Sequence, residues 1–278
     1  MLKSRAGLTL VELLVALFLT GVVMGTATLS VLRQQRTRRH IGALAEADRQ
    51  LSATMSVLAE ELGHLDRDAG DLAAGEVRDT VIQARSPVLS SISCAPSRAS
   101  VTLIPDSGVH RITGGVATPR AGDTLWWLGD TTWRGAEITG STVRDAACAP
   151  SARTGRTTNL TLSGADSIPA GAPLRVTRQT RYGLYKSGDG TWQLAVREWT
   201  GTGFAAPQPV AGPLLLSGTR RSGFRYFDAA GSELASPANA EQVTRIRFVA
   251  HALLTQHERG QDSVRSDSIE IAIGARQP

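Results

Sequence analysis

Between Leu8 and Leu32 the chain holds a single charged side chain, Glu12, and this run constrains the fold more than any other feature. About 20 apolar residues suffice for a helix to cross a bilayer. A carboxylate in such a run costs on the order of 2.5 to 3.5 kcal/mol at a helix centre and less near an end, so an acid there is a functional hypothesis by default. Its partner should be close by. If the chain is cut after Gly7, the new amino group of Leu8 lies about one helical turn from Glu12, at the spacing where side chains share a face.

An ordinary secretory signal accounts for less. Its apolar core is about 7 to 15 residues long and ends at a small-x-small cleavage site, so this run is too long. A plain signal anchor explains the length but gives no reason for Gly7 or Glu12.

The order Met1-Leu2-Lys3-Ser4-Arg5-Ala6-Gly7, then Leu8-Thr9-Leu10-Val11-Glu12 and an apolar helix, resembles the prepilin signal of type IV pilins and type II secretion pseudopilins. That family usually has Phe where Leu8 stands, and Leu8 keeps a large apolar group at the new terminus. The resemblance implies that prepilin peptidase, a membrane aspartic peptidase, cuts between Gly7 and Leu8. It also implies that the Leu8 nitrogen is methylated and that Glu12 attracts this nitrogen, or a neighbouring subunit's, during assembly with other pilins.

Lys3, Arg5 and the amino terminus precede the run, whereas Arg33, Arg36, Arg38 and Arg39 follow it. Counting basic residues alone places the carboxyl side in the cytoplasm. Two cysteines and a β-rich remainder fit an exported domain better, and the family orients its amino end inward. The expected location is therefore single-pass in the cytoplasmic (inner) membrane, head outside, with incorporation into a pilus or pseudopilus.

With 278 residues, about 200 remain beyond the anchor and its stalk, enough for a core. Aromatics are only 5% and Gly numbers 28, a composition suited to short strands and turns. The formal charge of +5 includes Lys3 and Arg5 and falls to +3 once the leader is removed. No aromatic-interleaved basic patch accompanies the arginines, which argues against nucleic-acid binding. Cys94 and Cys148 each begin a Cys-Ala-Pro triplet in a turn-like context. In an oxidising compartment they would close a loop of about 55 residues, worth about 4 kcal/mol in the chain-entropy account; two unrelated buried thiols are the alternative.

Gly21 and Gly25 form a Gly-x-x-x-Gly step that lets two helices approach closely, or that is merely tolerated. Beyond the arginines, Ile41, Leu44, Leu51, Met55, Leu58, Leu62 and Leu65 recur at helical spacing on one stripe. No proline intervenes, so one helix is expected from about Thr9 to Arg67, ending near Asp68-Ala69-Gly70. From there the period becomes two. Strands are expected near Val77–Ala84, Ser100–Ile104, Asp123–Leu128, Glu137–Val143, Asn159–Leu162, Leu174–Lys186, Thr191–Trp199, Gly223–Asp228, Val243–Leu253 and Ser268–Ile273. The clearest hairpin turns at Ser187-Gly188-Asp189-Gly190. A second unit pairs Phe224–Asp228 with Arg245–Val249, and Ile269–Ile273 closes that sheet.

The fold class is thus α+β and pilin-like: a long amino-terminal helix, membrane-embedded in its first half, packed on an antiparallel β-rich head. The divisions are a leader at 1–7, a transmembrane and assembly helix at 8–32, an amphipathic continuation at 33–69 and a head at 70–278. Tyr182-Gly183-Leu184-Tyr185, Trp192 to Arg197, Phe224 to Asp228 with Gly231, and Thr244 to Phe248 follow an order similar to PilW-like minor pilins and J-type minor pseudopilins. Asp68-Ala69-Gly70 fits the same group. Ser86 to Asp166 resembles nothing in those families.

Histidines 40, 64, 110, 251 and 257 are dispersed, and no catalytic or phosphate-binding motif is present, so neither enzyme activity nor a cofactor is expected. Two sulfurs without a His pair do not make a zinc site, and Asp189 with Asp228 does not make a calcium loop, so no metal is expected. Trp126, Trp127 and Trp133, with Asp123 and Asp130, suit either a binding face or sheet packing. A subunit that initiates or caps a pilus or secretion pseudopilus is the expected function. The alternatives are a tip adhesin that binds a surface or DNA through the head and, further off, a membrane-anchored hydrolase. Mass spectrometry of the mature protein should find an N-methylated Leu8 at its amino terminus, and Gly7→Ala should leave the precursor intact; Met1 on membrane-derived protein would refute the processing site.

Overall fold

The computed structural model describes residues 10–67, 70–104, 118–129, 131–148, 153–164, 166–216, 221–254 and 263–273. Helix α1 (Leu10–Leu62) is 53 residues long, or about 80 Å. Among the described residues thirteen strands follow: β1 (Leu72–Val77), β2 (Val81–Ile92), β3 (Ser100–Thr102), β4 (Thr124–Leu128), β5 (Trp133–Cys148), β6 (Arg153–Ser163), β7 (Pro173–Lys186), β8 (Trp192–Glu198), β9 (Gln208–Leu214), β10 (Gly223–Phe227), β11 (Glu233–Leu234), β12 (Arg245–Leu254) and β13 (Ser263–Ala272). All pairings are antiparallel, so the architecture is the α+β, pilin-like one expected.

Only the far half of α1 is packed. Ala47, Leu51, Thr54, Met55, Leu58 and Leu62 are buried, and burying each leucine contributes about 1.5 to 3 kcal/mol. They lie with Ile82, Tyr182, Leu194, Phe224, Tyr226, Ile246 and Phe248 in one core between the helix and two sheets. Ile41, expected on the buried stripe, is 58% exposed, because the head first touches the helix at Ala43 and Leu44.

The helix ends at Leu62, earlier than the periodicity predicts. A Cβ at Gly63 would meet the Ala59 carbonyl oxygen at 2.5 Å, so glycine permits the exit. Leu65 then folds back into the core through a tighter turn, its N–H on the Leu62 carbonyl at 3.2 Å. Its burial mimics another helical turn in the sequence. Of the expected stop, Asp68 and Ala69 lie outside the described residues; Gly70 adopts φ 68°.

Strand β7 organises the head. One edge pairs along most of its length with β2, from Pro173↔Ile92 to Gly183↔Val81. Its other edge changes partner midway: Leu174 to Thr177 face β4, whereas Thr180 to Lys186 face β8. At the same level β2 has a bulge between Pro87 and Leu89, which bends the strand and leaves one residue unpaired. The β4 branch runs on through β5 and β6 to β3. Strand β3 then returns to the end of β2 through the Ser93↔Leu103 bridge, Ile104 N–H to Ile92 O at 3.1 Å and Cys94 N–H to Thr102 O at 2.8 Å. These strands form a small closed barrel with a core of its own, including Val88, Val101, Leu125, Trp127, Ile138, Leu160, Ile168 and Val176. The described residues between 86 and 166 form much of this barrel. A Cys94–Cys148 disulfide ties the end of β5 to the chain after β2.

Other sequence expectations need correction. Val77–Ala84 is not one strand but the two arms of a hairpin, with Arg78 and Val81 exchanging N–H···O bonds at 2.8 and 3.3 Å. Asp79-Thr80 is not a strong turn signal, so the reversal was not legible. Strand β9 is absent from the expected set because it carries Pro209 and Pro213; it tolerates them at a sheet edge, paired only with β8. Strands β5 and β6 extend well beyond Glu137–Val143 and Asn159–Leu162, as a ribbon whose polar exposed residues, such as Thr142, Arg144 and Arg156, hide the alternation. The β7–β8 hairpin and the β10–β12–β13 sheet form as expected.

Tyr182 donates to Glu61 Oε2 at 2.6 Å, and Tyr226 to the Arg78 carbonyl at 2.7 Å. Burial pushes both phenols above their ordinary value of 10.0, with Glu61 adding to the shift for Tyr182 and Asp79 for Tyr226. Below about pH 10 their contribution to stability is fully present; above it the unfolded phenols ionise while the folded ones do not, so stability falls as pH rises. In an alkaline titration the phenolate absorbance of these two tyrosines should appear together with loss of circular dichroism. Ionisation of all three tyrosines ahead of unfolding would contradict their placement.

Candidate functional site

From Leu10 to Gly42 every residue of α1 is exposed. Leu10 is 81% exposed and Phe18 69%, and the apolar side chains project all round the helix. An all-round apolar helix belongs in lipid or in a bundle of helices. Thr20, Thr26 and Thr28 donate their hydroxyls to the carbonyls of Ala16, Val23 and Met24 at 2.7 to 2.9 Å. Their polar atoms are thereby satisfied within the helix, as a non-aqueous environment requires. Among the described residues α1 is the one helix long and apolar enough to cross a membrane.

Glu12 lies in the first turn of the described helix, exposed among these apolar side chains. A Cβ built at Gly21 or Gly25 meets nothing within 4 Å, so neither glycine serves the fold of this chain. Gly7 and Leu8 lie outside the described residues.

The other sequence candidates disperse. Trp127 is in the barrel core, whereas Trp126, on the opposite face of β4, donates Nε1 to Thr177 Oγ1 at 3.0 Å beneath the Arg85 guanidinium. Trp133 is 44% exposed, and Asp130 lies outside the described residues. The Leu128↔Trp133 register puts Trp133 on the same outer face as Trp126, and of the three tryptophans Trp127 alone turns into the barrel core. Asp189 caps its own turn, accepting from Ser187 Oγ, Thr191 N and Thr191 Oγ1; those bonds, Ser187's first, hold its carboxyl down at about 2. Asp228 caps the β10–β11 turn by accepting from Ser232 N at 2.8 Å. His251 Nδ1 meets Ser266 Oγ at 2.6 Å, and His110 and His257 lie outside the described residues. Among the described residues no group of His, Cys, Asp and Glu is arranged to hold a metal.

Two buried ion networks escaped the sequence reading, because their members are far apart in the chain. Arg178 makes a fork on Asp123, Nε to Oδ1 at 2.8 Å and Nη2 to Oδ2 at 2.9 Å, and reaches Glu198 at 3.1 Å. Arg120 binds the same Glu198 oxygen at 2.9 Å. The cluster sits where β7 changes partner and thus braces the barrel against the helix-packed core. The second network joins the chain beyond α1 to the barrel: Asp71 accepts from Asp66 N at 2.9 Å and Arg175 Nη2 at 2.7 Å. Burial pushes the Asp71 carboxyl up, opposed by Arg175.

An open groove of about 540 Å³ beside β10 contains Asp79 and Glu233, each facing an arginine, Arg221 and Arg225, at 3.7 Å. These paired charges are not the convergent acid–base set that a hydrolase requires.

Residues 2–28 match the family model of the prokaryotic N-terminal methylation motif. Together with α1, this supports a prepilin-type pilin or pseudopilin, anchored in the membrane through its amino-terminal helix. The motif implies processing by prepilin peptidase and assembly with other pilins. No curated protein and no solved structure matches the chain significantly.

Replacing Arg178 by Met leaves Asp123 buried without its guanidinium, a loss of about 3 to 5 kcal/mol. Chemical denaturation of the variant should show that loss; stability within 1 kcal/mol of the parent, about the worth of an exposed pair, would mean the brace carries little.

Proposed function

We propose that this protein is a minor pilin or minor pseudopilin, of the PilW-like or J-type kind, which helps to initiate or cap a type IV pilus or type II secretion pseudopilus. The observation that carries the reading is the division of α1: fully exposed and apolar as far as Leu32, packed under a β head from Ala47 onward. Residues 1–7 form the leader, 8–32 the transmembrane and assembly helix, 33–69 the stalk that continues it, helical as far as Leu62, and 70–278 the head. After cleavage behind Gly7 and methylation of Leu8, Glu12 attracts an amino terminus, its own or a neighbour's, and so sets the axial register of the entering helix. Gly21 and Gly25 offer a flat strip where a neighbouring helix can approach.

The head lies outside the cytoplasm, a placement supported by the Cys94–Cys148 disulfide, which persists in oxidising compartments. Its work is structural and not enzymatic. The barrel has a core separate from the helix-packed one and carries whatever is particular to this head.

Glu12→Ala should be cleaved normally yet enter filaments at least tenfold less efficiently, as read by immunoblot of sheared pili or by secretion output. Unchanged assembly would show that the acid is dispensable and remove the basis of the register.

A further inference from the structure

Arg33, Arg36, Arg38 and Arg39 follow Leu32 directly and are all exposed on α1. At 100° per residue they leave no gap wider than about 140° around the helix, so they form a collar and not a stripe. Leu10 to Leu32 measures about 33 Å along the axis, against a hydrocarbon thickness of about 30 Å. The collar occupies the next 9 Å or so, which takes in a headgroup layer about 5 to 8 Å deep, and the head begins above it at Ala43. The next acids along α1 face other partners: Glu46 binds Arg49 at 3.1 Å and Asp48 binds Arg265 at 2.8 Å.

With the head outside, these arginines stand on the side that the positive-inside rule disfavours. Orientation does not explain them. We propose that the collar binds the phosphates of anionic phospholipids in the leaflet beneath the head, and so fixes the depth of the unassembled subunit. Guanidinium groups suit this ligand, since each matches a phosphate with two parallel N–H donors while its methylene stem lies along the acyl boundary. Entry into a filament then strips these lipids from the helix. The inference rests on α1 spanning the membrane with the head outside, but not on the role of Glu12.

The test uses full-length protein in mixed micelles of phosphatidylglycerol and phosphatidylcholine, with native mass spectrometry counting retained lipids. The parent should prefer phosphatidylglycerol, and Arg33→Gln, Arg36→Gln, Arg38→Gln and Arg39→Gln should weaken the preference by about fivefold each, cumulatively. Arg→Lys at the four positions should keep part of it. Excess inorganic phosphate should leave the lipid bound. Displacement by phosphate alone, equal retention of the two lipids by the parent, or an unchanged preference in the fourfold Gln variant would each overturn the proposal. Loss of filament entry by that variant with lipid retention intact would assign the collar to an acidic face on a neighbouring subunit instead. Circular dichroism and the parental melting temperature show that the variant is folded. Because Glu12→Ala should keep the lipid preference, failure of the assembly reading and failure of this one remain distinct.

Discussion

One unbroken helix serves two environments, and the rest of the molecule follows from that. From Leu10 to Leu32 its apolar side chains have no partner in the head, so they remain stable only in lipid or against other helices. From Ala47 to Leu62 the same backbone presents one stripe to a closed core. An α-helix hydrogen-bonds its backbone internally and can therefore pass from one surrounding to the other without interruption. A strand could not, since it would need a partner at every depth.

The head must then present a surface to one helical stripe, and β7 is how it does so while also carrying a second core. By pairing with β4 along one half and β8 along the other, β7 belongs to the barrel and to the helix-packed layer at once. Such a junction leaves polar groups where two sheets diverge. Arg178, Asp123 and Glu198 fill it with paired charges, and Asp71 with Arg175 does the same where the chain leaves the helix. A buried pair of this kind adds little net stability over an apolar filling, but it penalises arrangements that separate its members. The barrel is thereby held in one orientation relative to the helix.

Cleavage behind Gly7, as proposed, would take away Lys3 and Arg5 and leave Glu12 and the arginine collar as the charges that frame the apolar run. Their placements differ in kind. The acid is inside the apolar segment, at a depth where it needs a specific positive partner. The arginines are just beyond its end, where long stems and planar heads can meet phosphate. In the proposed role the acid would select a neighbour and the arginines would hold the subunit's level.

Local features were legible in the sequence: the apolar run with its single acid, the helical stripe from Leu51 to Leu62, the Ser187 to Gly190 turn and the β-rich head. Each depends on neighbours within a turn or a hairpin, where periodicity and turn chemistry act directly. The tertiary structure alone decided that Ile41 stays in solvent, that the helix stops at Leu62 although Leu65 is buried, and that β9 accepts two prolines at an edge. It also decided that Ser86 to Asp166 contributes to a barrel with a separate core. Those outcomes depend on contacts such as Arg178 with Asp123, 55 residues apart, or Arg175 with Asp71, 104 apart. Burial at one position is set by distant segments that pack over it, and no local pattern records which segments those are.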